Sequence, residues 1–335
     1  MNYQNIDSKI KEILPKPVSR AVHQSVVDRR LHREYNQDLR RYRDNALIGP
    51  KVPSPKNLLG IITFKTHSVE KGLSHQHFRP GFGKDTSLRE LSYYLDSYRE
   101  LGYDISNPFI QNAVSVLKEY KQKHLSLHEE IGWFDERFKY WLQGDNPRTA
   151  GAMQLVHSDA TGKDFRQLSG ERYSVREFSD KPINLEDLMD AVSIAMKTPS
   201  VCNRSPWAVK IINDKQVMQD LLRIQGGFGG YDMPDKLMLI TVHTSYFNGL
   251  GERNQPFIEG GLFTMSFLYA LEFKNIAAVA LNAMFTNNKT EQTKKMLGLD
   301  DDEVLITFVA AGQFTENELV AKSFRPEPSS IVDVF

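Results

Sequence analysis

The chain has 335 residues, of which 40% are hydrophobic and 25% charged; this is enough apolar material for one large or two ordinary domains and too much for a disordered polymer. Its 42 Lys and Arg balance 42 Asp and Glu, so no bulk charge draws it to nucleic acid or to an anionic membrane. A single cysteine excludes an intramolecular disulfide and a zinc site built on several thiolates, and it suits a reducing, cytoplasmic setting.

The amino terminus, MNYQNIDSKIKEIL, lacks the apolar core of a secretory signal. The longest uncharged apolar stretch, Gly260 to Leu271, is far shorter than the roughly 20 residues that cross a bilayer. Neither a membrane span nor a membrane partner is expected.

Between Arg29 and Asp44 the charges alternate along a predicted helix, which reads as a solvated face rather than a nucleic-acid surface. Pro50, Pro53 and Pro55 mark an extended connection. Ser87 with Glu90 forms the pattern of a capping box, followed at helical spacing by Leu88, Leu91, Leu95 and Tyr98. Asn107 and Pro108 open a further helix with Phe109, Ala113, Val116, Leu117 and Tyr120 on its inner face. Residues 1–150 therefore read as a mostly helical extension, and residues 151–335 as a second domain of different character.

In that second part Asn184 caps a helix whose Leu185, Leu188, Met189, Val192, Ala195 and Met196 form one stripe. Short apolar runs at Ala208–Ile212, Leu237–Val242, Ile276–Leu281 and Val304–Ala310 predict strands. Helices are predicted between them at Lys215–Ile224 and Phe257–Phe273, so the fold class is α+β or α/β. The Phe257–Phe273 helix is apolar nearly all round, which places it at the centre of the fold or in a subunit interface.

The glycine-rich run Gly226, Gly227, Phe228, Gly229, Gly230 precedes a strand and does not match GxGxxG, and no GxxxxGK[ST] occurs; dinucleotide and P-loop fingerprints are both missing. His67, Glu70, His75 and His77 admit three readings: a metal clasp, a lid with Lys65, Lys71, Arg79 and Lys84 facing an anionic substrate, or plain packing, the last being the expectation. Cys202 reads as a buried structural thiol.

Three other segments carry chemistry together. Glu171-Arg172-Tyr173-Ser174-Val175-Arg176-Glu177-Phe178 sets two guanidiniums and a hydroxyl within five residues, a combination that can surround a phosphate. Thr198-Pro199-Ser200-Val201-Cys202-Asn203-Arg204-Ser205-Pro206-Trp207 is a polar turn leading into a strand. Lys322-Ser323-Phe324-Arg325 sets cations after the last strand.

In order and spacing these segments resemble the FMN-dependent nitroreductase family, whose pattern is RxSxR, then PSxxNxQPW, then basic residues after the final strand. Ile258-Glu259-Gly260-Gly261-Leu262 and Ala280-Leu281-Asn282 look like that family's central helix and flavin-facing turn. The resemblance covers roughly residues 160–335 and implies an α+β, three-layer, homodimeric nitroreductase-like fold. It further implies that Arg172, Ser174 and Arg176 hold the phosphate and ribityl chain of FMN, with Lys322 and Arg325 completing the phosphate site, and that Tyr173 lies beside the ribityl chain or the ring. Pro199, Ser200 and Asn203 would reach the flavin from the partner subunit, and Leu281 and Asn282 would approach its reactive edge. FMN would take hydride from NADH or NADPH and pass it to a small-molecule acceptor by ping-pong kinetics.

The sequence departs from the pattern at Ser205, where the family often has Gln, and at Val201, often a small hydroxyl residue. Two other readings accompany the oxidoreductase: a flavin-dependent dehydrogenase tailoring a metabolite or a surface-polysaccharide precursor, and a non-catalytic ligand-binding relative.

Overall fold

The structure, a computed structural model, describes residues 15–45, 47, 52–143, 150–155, 163–247 and 250–335. The chain divides into two units, Met1–Pro53 with Phe247–Arg253, and Ser54–Tyr246 with Asn254–Phe335. Residues 54–150 thus share a unit with the strands. The amino-terminal 14 residues and Pro50 lie outside the described residues, as do stretches on either side of position 150 where the domain boundary is expected.

The first unit is a single long helix, α1 (Lys16–Asn45), with a short 3-10 turn, Leu250–Glu252. Arg253 binds Asp38 of α1 through two nitrogens, at 2.8 and 3.1 Å, the forked geometry that guanidinium and carboxylate favour.

The second unit begins with helices α2 (Pro55–Leu73), α3 (Ser87–Glu100), α4 (Pro108–Ser126) and the short α5 (Gly132–Arg137). Ser54 and Asn57 form a reciprocal capping box with Pro55 in the first turn, so Pro55 starts a helix where an extended connection is expected. The capping box expected at Ser87 does not form: Thr86 is the cap residue and its side chain makes no capping bond. Asn107 caps α4 as expected, accepting from Phe109 N. Leu58, Ile62 and Val69 of α2 meet Leu88, Leu91 and Leu95 of α3 and Val116, Leu117 and Tyr120 of α4 in one core.

A two-stranded ribbon of β1 (Ala152–Gln154) and β6 (Leu319–Ala321) pairs antiparallel, Ala152 opposite Ala321. After α6 (Phe165–Glu171) and α7 (Leu185–Ala195) come β2 (Trp207–Ile212), α8 (Lys215–Gln225), β3 (Lys236–His243), α9 (Gln255–Phe273), β4 (Ile276–Asn282), α10 (Asn287–Leu297) and β5 (Glu303–Gln313). The four long strands form an antiparallel sheet in the order β2-β3-β5-β4. The expected strands and helices of this region are all present, and the chain is α+β.

One face of α9 is buried on the sheet through Phe263, Phe267 and Leu271. The opposite face leaves Phe257, Ile258 and Leu262 45–54% exposed. On α7, which packs on α9, only Leu188, Ala191 and Ala195 are buried. Leu185, Met189 and Met196, expected in the buried stripe, are more than half exposed.

Candidate functional site

The Glu171–Phe178 segment leaves α6 at Arg172, whose φ of −70° and ψ of 114° are extended. Extended backbone sends alternate side chains to opposite sides. Val175 is accordingly buried with Leu155, Ala277 and Val320, while Arg172, Ser174 and Arg176 stay half-buried. Val175 N donates to Ala278 O of the edge strand β4 at 3.1 Å and Ser179 N to Gln313 O at 3.0 Å. The segment is thereby pinned to the sheet.

The carboxy-terminal cations arrive by a separate route. Lys322 N donates to Gly151 O at 3.0 Å, extending the β1–β6 ribbon by one step. Ser323 then takes a left-handed φ of 55°, and the Phe324 ring sets edge-on against Phe109 of α4, centroids 5.3 Å apart. The two routes converge: Arg172, Tyr173 and Ser174 line one cavity of about 340 Å³ together with Lys322, Ser323 and Arg325, closed by Met265 and Tyr269 of α9. No carboxylate is among its lining residues. Three cations and three serines, Ser169, Ser174 and Ser323, line this space, a combination able to hold a small dianion.

A second cavity, of about 270 Å³, shares Ser174, Ser323 and Arg325 with the first and is otherwise lined by Phe324 and by α2 and α4, including Thr66, Glu70 and Asn112. Arg176 lines neither cavity. It lies farther along the segment, where Lys71 and Tyr231 are its electrostatic neighbours. Burial holds the Arg176 guanidinium below its ordinary value; burial and the charge of Arg176 do the same to Lys71. Beside them His75 stacks on Tyr231, centroids 4.1 Å apart and 10° from parallel, and His75 Nδ1 lies 3.2 Å from Glu177 Oε1. Burial lowers the His75 imidazole despite that carboxylate.

The histidines of the 67–77 stretch therefore part company. His67 pairs with Glu70 at 3.2 Å on α2, and His75 pairs with Glu177. Of the groups named there, none belongs to the cluster of metal-type ligands found among the described residues, His243 with Asp300 and Asp302.

A sequence model of the Nitroreductase family matches residues 170–228. Over those residues the chain is similar in sequence to that family. The match contains two of the three motif segments, and the third, Lys322–Arg325, lies outside it. The protein named "Putative NAD(P)H nitroreductase Spy0809" from Streptococcus pyogenes serotype M6 is 35% identical over 52 residues, 16% of this chain and 26% of that relative; the match thus spans about a quarter of the relative's length. Among solved structures, a nitroreductase with bound FMN from Desulfitobacterium hafniense DCB-2 aligns with 54% of this chain and all of its own, at 17% identity and a TM-score of 0.40. A nitroreductase family protein from Streptococcus pneumoniae TIGR4 aligns with 51% of this chain and all of its own, at 16% identity and a TM-score of 0.43.

Within the matched segment the 199–205 loop is held by α9. Val201 N donates to Glu259 Oε1 at 2.8 Å and Trp207 Nε1 to Glu259 O at 3.0 Å. Ser205 N donates to Ser200 Oγ at 3.0 Å. Cys202, Asn203 and Ser205 have φ of 51°, 56° and 48°, a left-handed backbone that non-glycine residues adopt at a cost of about 1–3 kcal/mol each. That strain presents Asn203 to solvent. Cys202 is exposed and not the buried thiol expected, because the same turn pushes it outward.

None of Pro199, Ser200, Asn203, Leu281 and Asn282 lines the Arg172 cavity of its own chain. Leu281 is 6% exposed and packs in the core with Phe308. Asn282 is exposed, its Oδ1 accepting from Met284 N at 3.0 Å. Thr66 and Asn112 are pocket residues that no motif announced; the only signal was the concentration of polar residues around His67 on a helix whose other face is core.

Proposed function

We propose that this chain is an FMN-dependent oxidoreductase that takes hydride from NADH or NADPH and delivers it to a small acceptor, working as a homodimer. The observation that carries this reading is the convergence of Arg172 and Ser174 with Lys322 and Arg325, some 150 residues apart, on one cavity without a carboxylate. A phosphate monoester bears about −1.5 to −2 charge at neutral pH and needs such a surround. The residues present therefore fit the phosphate end of FMN.

When bound, FMN supplies the capacity to accept hydride from a nicotinamide and to release reducing equivalents to a second molecule. The chain's own residues anchor, orient and polarise. Arg172, Lys322 and Arg325 fix the phosphate electrostatically, and the Ser174 and Tyr173 hydroxyls set its register. Arg176 and Lys71, two cations brought close together and partly desolvated, provide positive potential farther along the segment. Fixed positive charge in a site of low dielectric favours a reaction that builds negative charge nearby. Pro199, Ser200 and Asn203, presented outward by the strained loop, would serve the second copy's cofactor, and Leu281 and Asn282 would set the floor and rim of the turn after β4.

Two similarities support the reading: the nitroreductase-family match at residues 170–228 and the NAD(P)H nitroreductase name of the 35% identical relative. The acceptor could be a nitroaromatic, a quinone or a metabolite; a site that works by stacking flat molecules accepts several. Ping-pong kinetics follow if donor and acceptor use one flavin face in turn.

The test is spectroscopic. The purified protein should carry or take up a yellow chromophore that is released as FMN, and anaerobic NADH or NADPH should bleach it, with a quinone restoring the colour. A protein that stays colourless after incubation with FMN overturns the proposal. Bleaching by a metabolite with no response to either nicotinamide would reverse its direction, making the enzyme a dehydrogenase.

A further inference from the structure

Two buried polar atoms that lack a hydrogen-bond partner among the described residues, Thr66 Oγ1 and Glu70 Oε1, line the same cavity. Both residues are 2% exposed and stand four apart on α2, hence on one helix face. Buried polar groups are nearly always paired, and a buried carboxylate oxygen without a donor is costly. His67 Nδ1, 3.2 Å from Glu70 Oε2, serves only the other oxygen. The unserved atoms therefore call for a ligand that brings donors.

What sort of donor is decided by the rest of the wall. Arg325 also lines this cavity, which disfavours a ligand cation and favours neutral hydroxyl donors. Through Ser174, Ser323 and Arg325 the cavity adjoins the dianion receptor. A ligand that spans both has a phosphate at one end and a chain of hydroxyls at the other.

We propose that Thr66 and Glu70 are cofactor-binding residues that accept hydrogen bonds from the ribityl hydroxyls of the FMN whose phosphate lies with Arg172, Lys322 and Arg325. This rests on the flavin reading above, and it extends the binding site to a helix more than 90 residues before the family-matched segment. The helical region preceding the sheet is then part of the flavin site.

The experiment compares two ligands on the full-length chain freed of bound flavin: FMN, and an analogue in which a 5-phosphopentyl chain replaces ribityl phosphate and so lacks the hydroxyls. Affinities are read by titration calorimetry. Glu70→Gln and Thr66→Val should each weaken FMN about tenfold or more, as expected for a lost hydrogen bond to a buried, charged or polar acceptor, while changing the analogue's affinity by less than about threefold. Arg325→Ala should weaken both ligands. Glu70→Gln and Thr66→Val that leave FMN affinity unchanged while Arg325→Ala lowers it would overturn the role of α2 and spare the flavin reading. Equal losses for the two ligands would show a merely structural role and also overturn it. Wild-type protein that binds no FMN would overturn both. The two variants need not share a folding defect, and the melting temperature of each ligand-free protein identifies any that does.

Discussion

Glu318 shows how one buried side chain sets a pH dependence. It is 2% exposed, and its Oε2 accepts from Thr315 Oγ1 at 2.8 Å while its Oε1 has no partner among the described residues. Burial, reinforced by the nearby Glu177 charge, pushes its carboxyl up from 4.5 to about 7. The native state therefore holds this proton more tightly than the unfolded chain does. Stability from this group is complete below pH 4.5 and is lost as pH rises to about 7. At roughly 1.4 kcal/mol per pKa unit, the loss is about 3 kcal/mol at most. His75 acts in the opposite direction, since its imidazole is lowered by burial and gains stability as pH climbs toward its ordinary 6.5. Subtracting wild type from Glu318→Gln isolates the carboxyl. The variant should be less dependent on pH than wild type between pH 5 and 8, and at pH 8 it should unfold at higher urea by an amount worth about 1–3 kcal/mol. Parallel stability profiles for the two proteins would refute the assignment.

Among the elements, α9 is the one whose sequence and packing are most tightly bound together. Gly260 faces Ile306 of β5 so closely that a methyl group there would meet Cδ1 and Cγ2 of Ile306 at 2.7 Å. The helix can lie this low on the sheet only because that residue has no side chain. Overpacking of this kind costs about 1–3 kcal/mol, so Gly260→Ala should lower the urea midpoint accordingly. Adding Ile306→Ala should recover part of the loss, and a double variant no better than the sum of the two singles would show that the clash is not the cause. The strands and helices of this region were legible in the sequence because each has a run of its own period, such as Leu237–Val242 or Lys215–Ile224. Helix α2 was not: its capping box uses Asn57 in place of Glu or Gln, and its face of Thr66, His67 and Glu70 breaks the apolar stripe. The Ser87 box misled for the converse reason, the right letters standing one residue inside the helix. The site itself was legible in its residue types and not in its geometry. Arg172 and Arg325 meet only because three-residue strands at 152–154 and 319–321 pair, and strands that short carry no readable period. Leu281 ends in the core because the alternation of β4 turns it inward, which the match to a motif does not reveal.

At the scale of the whole molecule, the apolar surface of α7 and α9 needs a cover. Phe257, Ile258 and Leu262 on α9, Leu185 and Met189 on α7, and Met196 at its C-terminal cap are each 45–56% exposed, on two helices packed side by side. Apolar patches rimmed by polar residues mark interaction sites, and a self-complementary face closes most simply as a two-fold dimer. Glu259, on α9 beside Ile258, also holds the strained 199–205 loop through Val201 N. The same helix turn therefore carries the apolar patch and the loop that the flavin reading assigns to a neighbour's cofactor. Light scattering should find wild-type protein dimeric at micromolar concentration. Ile258→Glu with Leu262→Glu should give a folded monomer, because two carboxylates cannot be desolvated against an apolar partner. If Pro199, Ser200 and Asn203 act across the interface, that monomer should also bind FMN at least about tenfold more weakly, the loss of a hydrogen bond or two. Wild type that is monomeric at that concentration would refute the dimer, and a monomeric variant that binds FMN as tightly as wild type would confine the cofactor site to a single chain.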